Sequence, residues 1–307
     1  MHSLWMLFAS FMFAIMGVCV KLASELFSTS EIVMYRGMLG VLIMYAMLRW
    51  HGGSFRTRLP GQHLWRGVVG VVALWLWFYA IAILPLATAV TLNYTAPIWI
   101  AVIMFVANCW RRTRHFEWPL VAAIGASFVG VTLLLQPAFE SRQAGAALTA
   151  LFSGMLSALA YLQVRKLGML GEPEDRVVFY FSCVNLLAGV IGNVAAAGAG
   201  PVVWHKPDSV YGVMLLLGVG VCATVAQMAM TRAYRLGKTL VVANLQYTGI
   251  VFSSIWGVLI FGDVFDWHSW AGIGVILVSG SAATFYNNRN NARGPATAAI
   301  DPIATEA

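Results

Sequence analysis

The chain has 307 residues, of which 60% are hydrophobic and only 10% are charged. Soluble domains carry about 25% charged residues, so a water-soluble protein of this length could not cover its surface. This composition excludes a cytosolic enzyme, a nucleic-acid-binding domain and a disordered protein. It predicts an integral membrane protein with several spans. The net charge of +7 is then typical of membrane orientation rather than of a nucleic-acid partner.

Ten stretches of mostly apolar sequence follow one another along the chain, each about as long as the 20 residues that a spanning helix needs. They cover residues 3–23, 30–49, 65–84, 87–108, 118–136, 145–164, 176–197, 210–231, 238–261 and 268–287. None alternates with a period of two, as the strands of a membrane barrel do. The sequence therefore predicts an all-α integral membrane protein of ten transmembrane helices.

The two ends of the chain differ in character. Residues 3–23 follow no basic segment and precede no clear cleavage site, so they are predicted to be the first span rather than a signal peptide. Residues 290–307 are small, polar and proline-containing, and they are predicted to form a disordered cytoplasmic tail.

Basic residues are concentrated on one side of the predicted membrane. If the N-terminus is cytoplasmic, fifteen of the 19 Lys and Arg lie in cytoplasmic segments, three lie in outer segments, and Arg36 lies within a span. The cytoplasmic set is Arg49, Arg56, Arg58, Arg66, Arg111, Arg112, Arg114, Arg165, Lys166, Arg176, Arg232, Arg235, Lys238, Arg289 and Arg293. The positive-inside rule therefore predicts that both termini are cytoplasmic and that the protein lies in the inner membrane.

The two halves of the chain resemble each other, which predicts an internal repeat of 3–136 and 145–287. The segment 116–125 is similar to 265–274, and the triplet Asn-Tyr-Thr at 93–95 is similar to Gln-Tyr-Thr at 246–248. Each half would contain five helices, and because five is odd the second half enters the membrane from the opposite side. Inverted repeats of this kind are typical of secondary transporters.

Several motifs are similar to those of EamA-type members of the drug/metabolite transporter superfamily. They are the phrase Leu84-Pro85-Leu86-Ala87-Thr88-Ala89-Val90, the pair Gly262-Asp263 after the ninth span, and Gly272-x-Gly274 in the tenth. The resemblance covers about residues 3–287. It implies an EamA-like fold of two inverted five-helix repeats that carries small metabolites and is often an exporter. It also implies a central cavity between the third, fourth, eighth and ninth helices, with the first and sixth nearby.

This sequence departs from the family pattern in its acidic residues. Asp263 replaces the usual Glu, and neither the first span nor the middle of any other span carries an acid. Proton-coupled carriers commonly use an intramembrane carboxylate, so coupling to a proton or to a counter-substrate stays open. Glu31, at the outer start of the second span, is the nearest candidate, and its alternative role is that of a solvated interfacial charge.

Arg36 is the basic residue that orientation does not explain. It lies about six residues into the second span, about 9 Å along the helix. One interpretation is that its planar guanidinium binds a substrate carboxylate or phosphate in the cavity. The alternative is that it reaches the outer interface or pairs with Glu25 or Glu31.

The fourth and ninth spans carry polar residues at matching positions. Thr91 and Tyr94 are three residues apart and share a helix face, as do their repeat partners Asn244 and Tyr247. We predict that these faces line the cavity, although polar groups between membrane helices are often purely structural. Pro97 removes a backbone hydrogen bond and predicts a kink in the fourth span.

Further candidates for substrate binding lie on other spans. Trp75 and Tyr79 in the third span are four residues apart and could form an aromatic wall, although lipid-facing or core positions are the alternative. Gln163 in the sixth span and Gln227 in the eighth are amides near mid-helix, where hydrogen bonds between helices are equally expected.

These observations predict a transporter rather than an enzyme. The loops carry no clustered carboxylates or paired histidines, and no phosphate-binding GxxxxGK[ST] segment is present, so no catalytic residue, cofactor or metal is expected. The predicted function is export of a small amphipathic, carboxylate-bearing metabolite by alternating access. The compound could be amino-acid-like, an opine metallophore or a vitamin. Uptake of a similar metabolite, a passive channel and a membrane-embedded enzyme are the alternatives, and the oligomeric state stays open.

Overall fold

The computed structural model describes residues 4–50, 52–110, 143–198, 205, 207–237 and 239–264, most of 266–282, and a few residues between 122 and 133. The fifth predicted span, 118–136, lies largely outside the described residues. The predicted tail, 290–307, lies outside them entirely.

The described part of the chain is helical and includes no strand. In chain order the helices are α1 (Trp5–Ala23), α2 (Thr29–Trp50), α3 (Pro60–Ile83), α4 (Leu86–Asn93), α5 (Ala96–Trp110), α6 (Ala144–Met169), α7 (Glu174–Gly198), α8 (Val210–Leu236), α9 (Thr239–Gln246), α10 (Thr248–Phe261) and α11 (Trp270–Ser279). Helices α1, α2, α3, α6, α7 and α8 are long and apolar enough to cross a membrane. The all-α prediction is confirmed for the described residues.

Helix α3 begins earlier than the sequence predicts. It starts at Pro60, whereas the apolar stretch begins at residue 65. Proline is favoured in the first helical turn because its missing N–H would have no partner there. The polar turn from Pro60 to Leu64 therefore extends the helix at its N-terminal end.

The fourth and ninth spans are each divided into two shorter helices. Helix α4 ends at Asn93 and α5 begins at Ala96, while α9 ends at Gln246 and α10 begins at Thr248. The first break lies just before Pro97, whose ring nitrogen cannot donate to the carbonyl of Asn93. The predicted kink is thus confirmed, and both breaks lie at the triplets that match in the two halves.

The long helices of the first half pack mainly against helices of the second half. Helix α2 contacts α7, α1 contacts α8, and α3 contacts α6. Small residues permit the α2–α7 approach, because a side chain at Gly37 would overlap the backbone of Leu186, and one at Gly189 would overlap Met34. The described helices therefore form one bundle with its core between the two halves.

Candidate functional site

A small cavity lies inside the bundle, between helices α1, α3, α4, α6, α7 and α8. Its polar lining residues are Arg66, Asn93, Tyr94, Ser157, Tyr161 and Gln227. Its volume is about 40 Å³. A cavity needs about 10–15 Å³ to hold one water molecule. This conformation therefore has room for a few waters, and the cavity must widen to hold a metabolite.

Arg66 is the charged residue of the cavity wall. Its side chain is 3% exposed, and its guanidinium carbon lies 3.9 Å from the ring centre of Phe181. One terminal nitrogen donates to Oε1 of Gln227 over 3.4 Å, while Nε and Nη1 have no hydrogen-bond partner. Arg66 forms no ion pair with any residue that the structure describes. A buried, unpaired guanidinium is costly, and an anionic ligand would compensate it.

The position of Arg66 corrects its assignment to a cytoplasmic segment. Because α3 begins at Pro60, Arg66 is the seventh residue of the helix. It shares a face with His63 and Gly70, three residues before it and four after it. Gly70 makes room for the guanidinium, since a side chain at this position would overlap Nη1 of Arg66. The charge belongs to the interior of the bundle.

Arg36 on α2 is also buried. Its side chain is 4% exposed, so it does not reach the interface, and Nε has no partner. Its guanidinium carbon lies 5.2 Å from the ring centre of Phe181, the same ring that Arg66 contacts. The alternative pairings, with Glu25 or with Glu31, are not formed among the residues that the structure describes. Arg36 approaches the cavity through Phe181 without being one of its lining residues.

Glu31 has structural partners instead. Its carboxylate accepts a hydrogen bond of 2.7 Å from the backbone N–H of Ser28, and the Ser28 hydroxyl accepts one of 3.3 Å from the N–H of Glu31. This reciprocal pair is a capping box at the start of α2. The other carboxylate oxygen accepts the backbone N–H of His205. At 1% exposure, Glu31 is a buried helix cap rather than a solvated charge.

Tyr94 and Gln227 are the sequence-predicted residues that the structure brings to the cavity lining. The Tyr94 ring lies 6.3 Å from that of Trp77 and occupies the space beside Gly249, where a side chain would overlap it. Tyr94 therefore connects the break between α4 and α5 to the first turn of α10. Gln227 is held by its hydrogen bond from Arg66.

The aromatic pair predicted on the third span, Trp75 and Tyr79, lies away from the cavity. Trp75 packs against α7, where the missing side chain of Gly192 leaves room for its indole ring, and Tyr79 is 46% exposed. The structure does not bring either of them to the cavity, and the aromatic wall that lines it includes Trp77.

The remaining predicted residues have local partners or lie apart from the cavity. The Thr91 hydroxyl donates to the carbonyl of Ala87 over 2.7 Å. The Gln163 amide bonds to Gln62 on α3. Tyr247 is 3% exposed, and its hydroxyl has no partner.

Asn244 lies on α9, in the described helix. Its side chain lies outside the part of the chain whose side chains the structure describes.

Most of the lining was missed by sequence reasoning, and the missed residues include Arg66, Trp77, Tyr161 and Phe181. A signal for part of the set was present on α3. Arg66, Gly70, Ala73 and Trp77 recur at helical spacing, and all four lie on the cavity wall. A face that combines small residues with a charge indicates close packing around a polar site more clearly than aromatic spacing alone.

A hydrogen-bond network supports the first break. The Asn93 amide donates to Ser153 over 2.6 Å, and the Ser153 hydroxyl donates to the carbonyl of Ala73 over 2.8 Å. Gly154 lies directly against the break, because its Cβ would be 2.7 Å from the carbonyl oxygen of Asn93. Helices α3, α4 and α6 are thereby joined at the edge of the cavity.

A second polar cluster joins the loop between α2 and α3 to the loop between α6 and α7. Glu172 is 5% exposed and accepts hydrogen bonds from Thr57 over 2.6 Å and from Arg176 over 2.9 Å. His63 approaches the same carboxylate at 3.5 Å. Burial alone would raise the pKa of Glu172, but these bonds and the Arg176 charge outweigh it and lower the pKa below its usual value. The cluster is therefore an ionised latch between the two loops.

A helical membrane bundle with broken helices around a polar cavity is the architecture of a small-molecule carrier. The model of the EamA-like transporter family matches residues 1–136. The pseudopaline exporter CntI of Pseudomonas aeruginosa is 31% identical over 273 residues, covering 88% of this chain and 90% of that protein. The chain therefore belongs to the EamA family of drug/metabolite transporters.

Two further similarities agree with this assignment. A riboflavin transporter of Vibrio cholerae is 26% identical over 299 residues, covering 95% of each chain. A crystal structure matches 94% of this chain with a TM-score of 0.65 at 16% identity, which indicates a shared fold. The protein is thus a multi-pass transporter of the inner membrane and not an enzyme.

Proposed function

We propose that the protein exports a small amphipathic, carboxylate-bearing metabolite across the inner membrane by alternating access. The observation that carries this proposal is Arg66, a buried guanidinium at the cavity wall without an ion-pair partner among the described residues. A carboxylate fits the planar fork of a guanidinium and supplies the missing charge.

The proposed architecture is ten spanning helices in two inverted repeats, 3–136 and 145–287, with both termini cytoplasmic. The matched breaks support it, since α4 and α9 both end at the aligned triplets. Tyr94 at the first break packs beside Gly249 after the second. Breaks near the midplane let two pseudo-symmetric halves exchange conformations around a shared site.

In this proposal Arg66 binds the carboxylate, Gln227 orients Arg66, and Arg36 adds a second positive charge beside the cavity. Tyr94 and Trp77 provide an apolar wall for the rest of the metabolite, at a ring separation of 6.3 Å. Tyr247, Asn244, Thr91 and Gln163 are proposed to contribute only when the cavity widens.

Export and the class of compound rest on the relatives. One relative exports pseudopaline and another transports riboflavin. An amino-acid-like compound, an opine metallophore or a vitamin would suit a cavity with a cationic and an aromatic side. Coupling to a proton or to a counter-substrate completes the proposed cycle.

Untargeted metabolite profiling of a deletion strain and a complemented strain tests the proposal. The deletion strain should accumulate one anionic metabolite inside the cell, and complementation should move it to the medium. Arg66→Ala should fail to complement, while Arg56→Ala, which removes an exposed loop arginine, should complement fully. A metabolite depleted inside the deletion strain would indicate uptake, and no change in either strain would refute the transport proposal.

A further inference from the structure

On the basis of the proposed function, we infer that the substrate carries two separate acidic groups. Arg36 binds one and Arg66 binds the other, and both arginines lie beside the ring of Phe181. A single carboxylate needs only one guanidinium. The second buried arginine therefore specifies the class of substrate rather than repeating the role of the first.

Both guanidiniums converge on one aromatic ring. Their central carbons lie 5.2 Å and 3.9 Å from the ring centre of Phe181. The two carbons are therefore separated by no more than the sum of these distances, about 9 Å, which is within a Debye length at 0.1 M salt. One small molecule can reach both, and the ring face helps to hold each cation in place.

The two charges have no internal counter-charge among the described residues. Neither arginine forms an ion pair there. The two buried carboxylates are already engaged elsewhere, Glu31 by Ser28 and His205 and Glu172 by Thr57 and Arg176. Two like charges at this separation in a buried site repel each other, so an anion bound between them would be favoured.

The charge count selects between substrate classes. A monocarboxylate compensates one guanidinium and leaves the other buried and unpaired, which is unfavourable. A dicarboxylate compensates both and can form a planar, two-point contact with each arginine. A phosphate monoester carries nearly two charges at one centre, whereas the two guanidiniums extend from different helices, α2 and α3. The geometry favours two carboxylates joined by a short chain.

Thermal unfolding of the detergent-solubilised full-length protein tests the inference. The probes are straight-chain dicarboxylates of three to seven carbons, their monomethyl esters, and glycerol phosphate. At least one dicarboxylate should stabilise the protein at a concentration tenfold lower than its own ester requires. No stabilisation by any dicarboxylate, equal effects of diacid and ester, or a stronger effect of glycerol phosphate would overturn the inference.

Variants separate the two arginines. Arg36→Gln and Arg66→Gln should each reduce the advantage of the diacid over its ester to less than threefold. Arg56→Gln, the matched control at an exposed loop position, should keep the full advantage. Arg36→Lys retains the charge without the planar fork. This variant should keep part of the diacid advantage, and that result would show that the site is still folded. An unchanged diacid advantage in Arg36→Gln would refute the role of Arg36.

Failure of this inference differs from failure of the proposed function. If the metabolite that accumulates in the deletion strain has one acidic group, the export proposal stands and the two-arginine inference is wrong. If no metabolite accumulates or leaves the cell, the transport proposal itself fails.

Discussion

Gly70 leaves the space that the buried arginine of the cavity wall occupies. It lies one turn after Arg66 on the same face of α3, and the guanidinium occupies the space that a side chain at this position would take. The residue pair shows how a charge is held inside a membrane bundle. Gly70 has no side chain and so leaves space for the guanidinium. The ring face of Phe181 contacts the guanidinium, and Gln227 accepts one of its hydrogen bonds.

We expect Gly70→Ala to reduce efflux of the transported metabolite by at least about tenfold, equivalent to about 1.4 kcal/mol. The added methyl group displaces the guanidinium, which lies nearest to it, and also presses on the Phe181 ring at 2.9 Å. Alanine in a helix is otherwise favourable relative to glycine by about 1 kcal/mol, which offsets part of the strain. The amount of protein in the membrane should therefore not fall. Efflux from complemented cells measures the effect.

Gly61→Ala is the control for this substitution. Gly61 lies on the same helix, and nothing lies within 4 Å of the added carbon. Equal efflux from the two variants would contradict the role of Gly70.

For single residues, the sequence shows which side chains are unusual for their position but not which neighbours surround them in the fold. Arg36 stands out as a charge inside an apolar stretch, and the structure buries it. Arg66 does not stand out, because hydropathy cannot tell whether the polar turn after Pro60 is helix or loop. Trp75 and Trp77 are equally aromatic, and the structure packs Trp75 against Gly192 of α7 while Trp77 lines the cavity. Burial depends on neighbours that are distant in sequence.

At the scale of the elements, the breaks in the fourth and ninth spans are the main departure from ten continuous helices. Pro97 explains the first, and the matching triplets indicated in advance that the two spans are related. The second break contains no proline, yet it lies at Tyr247, within the triplet that matches the first break. The lost hydrogen bond of a proline therefore explains only the first break, and the match between the two halves is the sequence feature that points to the second.

Gly154 is predicted to be required for the first break. Its Cβ would lie 2.7 Å from both the carbonyl oxygen of Asn93 and the hydroxyl of Thr95. Gly154→Ala should push α6 away from the break and lower the free energy of unfolding by about 1–3 kcal/mol, a typical cost of overpacking. Reversible unfolding in mixed micelles measures this change.

The matched control is Gly145→Ala, in the first turn of the same helix, where the added carbon meets nothing within 4 Å. If both variants are as stable as the natural protein, the close contact between α6 and the break does not matter.

The stability that the Glu172 latch contributes to the folded protein should depend on pH. Its pKa is lowered from the usual 4.5 in the folded protein, so its bonds contribute full stability above that value and lose it as the pH falls through the lower folded value. Glu172→Gln should therefore lower the unfolding temperature at pH 7. The difference from the natural protein should shrink as the pH falls below 4.5.

Thermal unfolding across this pH range tests the latch, with Glu25→Gln as the control because Glu25 is exposed. A difference that does not shrink below pH 4.5 would mean that the Glu172 charge does not stabilise the two loops.

At the scale of the whole molecule, composition and hydropathy predict the class, and six long apolar helices agree with it. Motifs indicate the family, and a relative that is 31% identical over most of its length establishes it. The packing of the two halves into one bundle could not be derived from spacing, because it depends on α2, α1 and α3 each finding a partner in the other half.

Orientation is a property of the whole chain, and we predict that both termini are cytoplasmic. Green fluorescent protein fused after Ala307 should fluoresce, whereas alkaline phosphatase fused there should be inactive. Fusions after Leu26, in the turn between α1 and α2, should give the opposite results. Active phosphatase at the C-terminus would reverse the proposed orientation, and with it the side to which the Glu172 latch belongs.

The contact between Tyr94 and Gly249 has a consequence for how related proteins diverge. The phenol ring takes the volume that a side chain at residue 249 would need, so the two positions share a single space across the two halves. Neither can grow unless the other shrinks. In an alignment of relatives, we expect larger residues at the position of Gly249 to occur together with smaller ones at the position of Tyr94, a correlated exchange between two gene halves.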